Sequence, residues 1–123
     1  MPCYAIPTVW TLYKNATGDQ GVIKQATILN ADGSIKDLTS LSMVVKVWKG
    51  DPNYPLLVSE NIANDGTPSD GVVNWTVSLT DIQSLPFAED GLSVAVMFYQ
   101  GVVSAPSYQD TTDPFTLIVR ATA

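Results

Sequence analysis

Val73, Trp75, Val77 and Leu79 alternate with Asn74, Thr76 and Ser78, the period-two pattern of a strand with one dry face and one wet face. The same alternation returns further on. Leu92, Val94, Val96 and Phe98 interleave with Ser93, Ala95, Met97 and Tyr99, while Phe115, Leu117 and Val119 interleave with Thr116, Ile118 and Arg120. Earlier, Met43, Val45 and Val47 share one face and Val44, Lys46 and Trp48 the other. These runs predict strands at 9–14, 21–30, 42–49, 54–60, 73–79, 91–100 and 115–120. Asn30-Ala31-Asp32-Gly33, Gly50-Asp51-Pro52-Asn53 and the polar loop 64–71 punctuate them. Thr80 to Leu85 reads as a single helical turn with Thr80 as cap, ended by Pro86. The stretch containing Pro106 and Pro114 reads as a long loop.

Short strands at these intervals predict an all-β, immunoglobulin-like, two-sheet antiparallel β-sandwich of about seven or eight strands. A small barrel is the alternative. Residues 1–7 read as an extended, uncharged arm and residues 8–123 as one domain, long enough to bury a core without a disulfide framework.

The inventory removes most chemistry. The chain has no histidine and one cysteine, Cys3, which excludes histidine triads, Cys-His pairs, two-histidine zinc sites and CxxC redox motifs. No GxSxG or SxxK pattern occurs. Asp32 with Asp37, Asp65 with Asp70, and Asp110 with Asp113 invite a calcium reading, but none matches an EF-hand and aspartate is an ordinary turn former. A non-enzymatic protein without cofactors is the expectation. The net charge of −6, from 12 acidic and 6 basic residues, disfavours nucleic acid and anionic membrane as partners. No stretch has the length of an apolar membrane span, and residues 1–7 lack the features of a signal peptide.

Comparing outward faces singles out a candidate contact surface. In an immunoglobulin-like arrangement Asn74, Thr76 and Ser78 make one outer face wet, whereas Val44, Trp48, Ala95, Met97, Tyr99 and Ile118 make the other apolar. Such a patch is covered either by loops or by another subunit. The arm adds Cys3, Tyr4 and Ile6 as candidates for an extended contact along a sheet edge.

From Asp19 onward the order of features resembles the immunoglobulin-like domains at the N-terminus of bacteriophage baseplate upper proteins and related virion proteins. The carriers are the Gly18-Asp19 entry, Asn30-Ala31-Asp32-Gly33-Ser34 leading to Asp37-Leu38-Thr39, and Val47-Trp48-Lys49-Gly50. Gly71-Val72-Val73-Asn74-Trp75 and Leu79-Thr80-Asp81-Ile82 before Gly91 complete the series. The resemblance implies a virion protein, assembled in the host cytoplasm, that docks in multiple copies on capsid, neck or tail and baseplate proteins. The rival expectation is a carbohydrate-binding or adhesin module whose exposed aromatics stack on sugars.

Overall fold

The structure, a computed structural model, describes residues 3–14, 21–50, 55–102 and 104–121. The fold is all-β. Its strands are β1 (Tyr4–Ile6), β2 (Val9–Tyr13), β3 (Ile23–Leu29), β4 (Ser42–Trp48), β5 (Val58–Asn64), β6 (Val72–Thr76), β7 (Ala88–Val102), β8 (Ala105–Thr111) and β9 (Phe115–Arg120). A short α-helix, α1 (Leu79–Ser84), links β6 to β7, and a single 3₁₀ turn, Pro68–Asp70, precedes β6. The hydrogen-bonded path runs β1-β3-β6-β5-β4-β7-β9-β2, with β8 attached to β7. It begins and ends on the chain's first two strands, which only Pro7 and Thr8 separate, so the sheet is nearly closed on itself. The pairings are antiparallel except β2 with β9, a parallel pair from Val9↔Thr116 to Tyr13↔Arg120.

The alternation holds along the core face as far as Val77; Leu79, expected to continue it, instead opens α1 and is exposed, β6 ending at Thr76. Val73, Trp75 and Val77 are fully buried, as are Val94, Val96 and Phe98. Trp10 of β2 meets Trp75 of β6 across the interior, with ring centroids 6.0 Å apart, and stands edge-on to Phe115 at 4.9 Å. The Trp10 indole N–H donates to the Gln25 carbonyl at 2.9 Å, so burying that ring leaves no polar group unpaired.

Four local readings are corrected. The arm is not extended away from the body: Tyr4–Ile6 pairs with Leu29–Thr27, Cys3 is buried, and the Asp113 N–H donates to the Cys3 carbonyl at 2.8 Å. Of its three candidate contacts only Ile6 stays exposed; Tyr4 is half-buried. The loop after Gln100 is largely β8, which extends the β7 pairing from Met97↔Thr111 outward. Pro106 is tolerated because β8 pairs on one side only. Thr112 bridges the break between β8 and β9, its hydroxyl accepting from the Val96 N–H at 3.1 Å where a strand carbonyl would otherwise sit. The fourth strand forms at Val58–Asn64 rather than 54–60; residues 51–54 and 15–20 lie outside the described residues. The cap of α1 is Ser78, not Thr80: its side chain accepts from the Asp81 N–H while Asp81 accepts from the Ser78 N–H, a reciprocal box.

Gly71 positions the irregular segment 30–41 against this wall. Its φ of +72° is left-handed, and a Cβ there would lie 2.7 Å from Ile35 Cγ2 and 3.0 Å from the Ile28 and Lys36 carbonyls. The strained φ and the backbone contacts act together, so Gly71→Ala is expected to destabilise the protein by about 1–2 kcal/mol in urea titrations. An unchanged midpoint would refute this account of the turn.

Candidate functional site

The expected apolar contact patch is not open to solvent. Val44, Trp48, Ala95 and Met97 retain between 3% and 8% exposure within the monomer, and Tyr99 and Ile118 are half-buried. The residues do share one face, as the register pairs Val44 with Met97, Lys46 with Ala95 and Ser42 with Tyr99. Over Met97 the cover is polar side chain from the same face. Lys46 Nζ approaches the Met97 sulfur at 3.8 Å, and Gln109 Nε2 reaches it at 3.4 Å from β8, the strand not recognised in the sequence. Long polar side chains lay their stems over the apolar row.

Two recesses lie at the end of the wall where β4 begins. The first, about 370 Å³, is lined by Ser42, Met43, Asn61, Ile62, Asn64 and Tyr99, among others. The second, about 240 Å³, includes Lys36, Asp37, Thr39, Gln100 and Tyr108. Leu41 borders both. Tyr99 is the one sequence-derived site residue in either recess. The asparagines escaped notice because the strand carrying them was placed too early in the chain.

Beside the second recess stands a buried ionic cluster. Lys36 donates to Asp110 at 3.1 Å and to the Tyr108 hydroxyl at 3.0 Å, and its ammonium lies 5.4 Å from the centre of the Phe98 ring. Burial alone would push Lys36 down, but the bonds to Tyr108 and Asp110 outweigh it and hold its pKa above the ordinary lysine value. Asp110 is treated in the opposite sense: desolvation raises it, and the Lys36 and Cys3 hydrogen bonds lower it further, for a net depression. Burial, with Asp110 adding to it, pushes the Cys3 thiol up to about 12, so Cys3 is a neutral donor rather than a nucleophile.

A second cluster lies on the core side of β5. Glu60 pairs in register with Val45 and accepts from the Trp75 indole N–H at 3.1 Å. Desolvation, then a hydrogen bond and repulsion from Asp81, raise its pKa to about 7. Neither Glu60 nor Asp81 lines the two recesses.

The acidic loops satisfy their own backbones. Asp32 accepts from the Ser34 N–H, Asp37 from Thr39, Asp65 from Thr67 and Asp70 from Val72, at 2.9–3.1 Å. Among the described residues no three cysteine, aspartate or glutamate side chains converge in a way that could hold a metal ion. None of the helices is long and apolar enough to cross a membrane, among the described residues.

No protein-family model matches the chain, and neither does any curated protein. Among solved structures, a chain superposes with a TM-score of 0.47 at 13% identity, over 95% of this chain and 97% of that one. That structure is described as the structural basis of T cell specificity and activation by the bacterial superantigen toxic shock syndrome toxin-1. At this level the likeness bears on neither the function nor the finer architecture.

Proposed function

We propose that the chain is a non-enzymatic, immunoglobulin-like docking module of a bacteriophage virion that works by surface contact. The strand plan supports the immunoglobulin-like part. The first strand is split, β1 antiparallel to β3 and β2 parallel to β9, and β5 pairs with β4 over Val58–Ile62 before pairing with β6 at Ala63 and Asn64. Taken as two layers, β1, β3, β6 and the end of β5 face β2, β9, β7 and β4.

The observation that carries the docking reading is the location of the exposed isoleucines. Ile6, Ile23 and Ile35 are each about half exposed. Register puts all three on the outer side of the β1-β3-β6 layer, since Ile6 pairs with Thr27, Ile23 lies an even number of residues from Thr27, and Ile35 bridges to Leu29. Half-buried Tyr4, Leu29 and Val72 fill the ground between Ile6 and Ile35, while polar Gln25, Thr27 and Asn74 separate that group from Ile23. The contact surface is thus the layer opposite the one the sequence suggested. Apolar side chains held in solvent on one face favour a protein partner over solvation. The virion assignment rests on the turn-and-strand resemblance, and the expected partners are capsid, neck, tail or baseplate proteins engaged in multiple copies.

Antibodies raised against the chain should label particles banded from a phage lysate of the strain carrying its gene, at regular positions on the particle. A chain found only in the particle-free fraction would overturn the assignment.

A further inference from the structure

The larger recess has an origin in the sheet register that also determines its chemistry. The β4-β5 ladder ends at Met43↔Ile62, after which Ala63 and Asn64 pair with Asn74 and Val73 of β6. On its other side β4 remains paired one residue further, Ser42 with Tyr99 of β7. The departure of β5 therefore leaves Ser42 with a strand partner on one flank only. The space beside it is the recess of about 370 Å³.

The recess opens where the strands part, so both faces of the ladder border it: Ser42, Asn61 and Tyr99 belong to the outer face, and Met43, Ile62 and Asn64 to the core face. Among the described residues no charged side chain lines it. The Asn64 amide oxygen is already taken by the Gly66 N–H at 2.8 Å, which leaves its two amide hydrogens free to donate. Asn61 and Ser42 make no side-chain hydrogen bond among the described residues, so both donors and acceptors are available.

These features select among ligand chemistries. A phosphate or carboxylate would find no cation in the recess and would meet a chain of net charge −6. A purely apolar ligand would strip water from two carboxamides without replacing its hydrogen bonds. An extended peptide would find only Ser42 as open edge of β4, the Leu41 N–H being bonded to the Leu38 carbonyl. A pyranose fits each feature. Neighbouring hydroxyls both donate and accept, matching carboxamides, and the ring's C–H face suits an aromatic or apolar surface. The volume lies at the lower end of the range of about 300–1,000 Å³ usual for small-molecule sites.

We propose that this recess is a binding site for an uncharged saccharide. Asn61 and Ser42, which share the outer face with Tyr99, hydrogen-bond its hydroxyls, and Tyr99 contacts a ring face. The site is separate from the isoleucine face and does not depend on the virion reading.

The test is an amide chemical-shift titration of the intact chain with the methyl glycosides of glucose, galactose and N-acetylglucosamine, and with inorganic phosphate as the charged control. At least one glycoside is expected to give saturable shifts at Ser42, Asn61 and Tyr99 in the millimolar range. Asn61→Ala and Tyr99→Ala, both at positions outside the buried core, are each expected to weaken that binding roughly tenfold while thermal unfolding stays unchanged. The absence of saturable shifts with all three glycosides would overturn the proposal. So would equal binding by the two folded variants, or phosphate binding at the same residues.

Discussion

Lys36→Met is expected to cost the fold about 3 kcal/mol, read as a fall in the urea midpoint at neutral pH. Methionine keeps the apolar stem of a side chain that is only 6% exposed, so the loss isolates the ammonium rather than packing. Without it, Asp110 remains partly buried with the Thr111 N–H and the Cys3 thiol as its remaining partners. Tyr108 likewise loses the donor that fixes its hydroxyl. The side chain of Asp110 keeps 28% exposure, which sets the expectation at the low end of the range of about 3–5 kcal/mol for breaking a buried pair. Lys36→Met with Asp110→Leu should recover at least about half of the loss, because the stranded carboxylate is its main source. A neutral single variant would show that segment 30–41 is held to β8 by packing alone.

The second large effect is a stability that falls as pH rises through neutrality. Glu60 has a folded pKa of about 7 against an ordinary 4.5, so between those values the folded chain holds a proton that the unfolded chain has released. That group's contribution is complete below about pH 4.5 and is lost as pH climbs through 7. At about 1.36 kcal/mol per unit, with some reduction for residual solvent access, the fall is about 2–3 kcal/mol. The depressed carboxylates Asp32, Asp37 and Asp110 act in the opposite direction, but they titrate below their ordinary 3.8, and Cys3 titrates near 12. Asp65 is likewise depressed and Asp70 is raised by its hydrogen bond to Asp65, both in an exposed loop, so among the described residues Glu60 is the carboxyl brought to neutrality. Glu60→Gln keeps an acceptor for the Trp75 indole and gains a donor toward Asp81, so it should flatten the profile and exceed the parent by about 2 kcal/mol at pH 8. A parent stability that rises from pH 5 to 8 would overturn this assignment.

How much of this could be read from the chain depends on how local each feature is. Strand alternation is local, so Val73 to Val77 and Leu92 to Phe98 were placed on the right face without knowing their partners. Burial of the opposite face is not local. Nothing near Met97 in sequence indicates that Gln109 will cover it, and prolines at 106 and 114 disguised β8 as a loop. The helix cap was missed because Ser78 looked like the wet position of a strand while Thr80 matched the expected cap spacing. Lys36, Asp110 and Cys3 are separated by dozens of residues and carry no mutual spacing signal. The recess by Ser42 depends on one strand changing neighbours between Ile62 and Ala63, a register event that no residue type announces.

The parallel pairing of β2 with β9 also bears on how the molecule would carry a mechanical load. Tension applied between the two chain ends pulls β2 at its start and β9 at its finish, at opposite ends of one ladder. β1, held by three residue pairs, is the first to give way. The force then runs along the five pairs from Val9↔Thr116 to Tyr13↔Arg120 in shear, so their hydrogen bonds must fail together rather than one after another. A fold that yields easily to heat or urea can therefore still resist being pulled apart end to end.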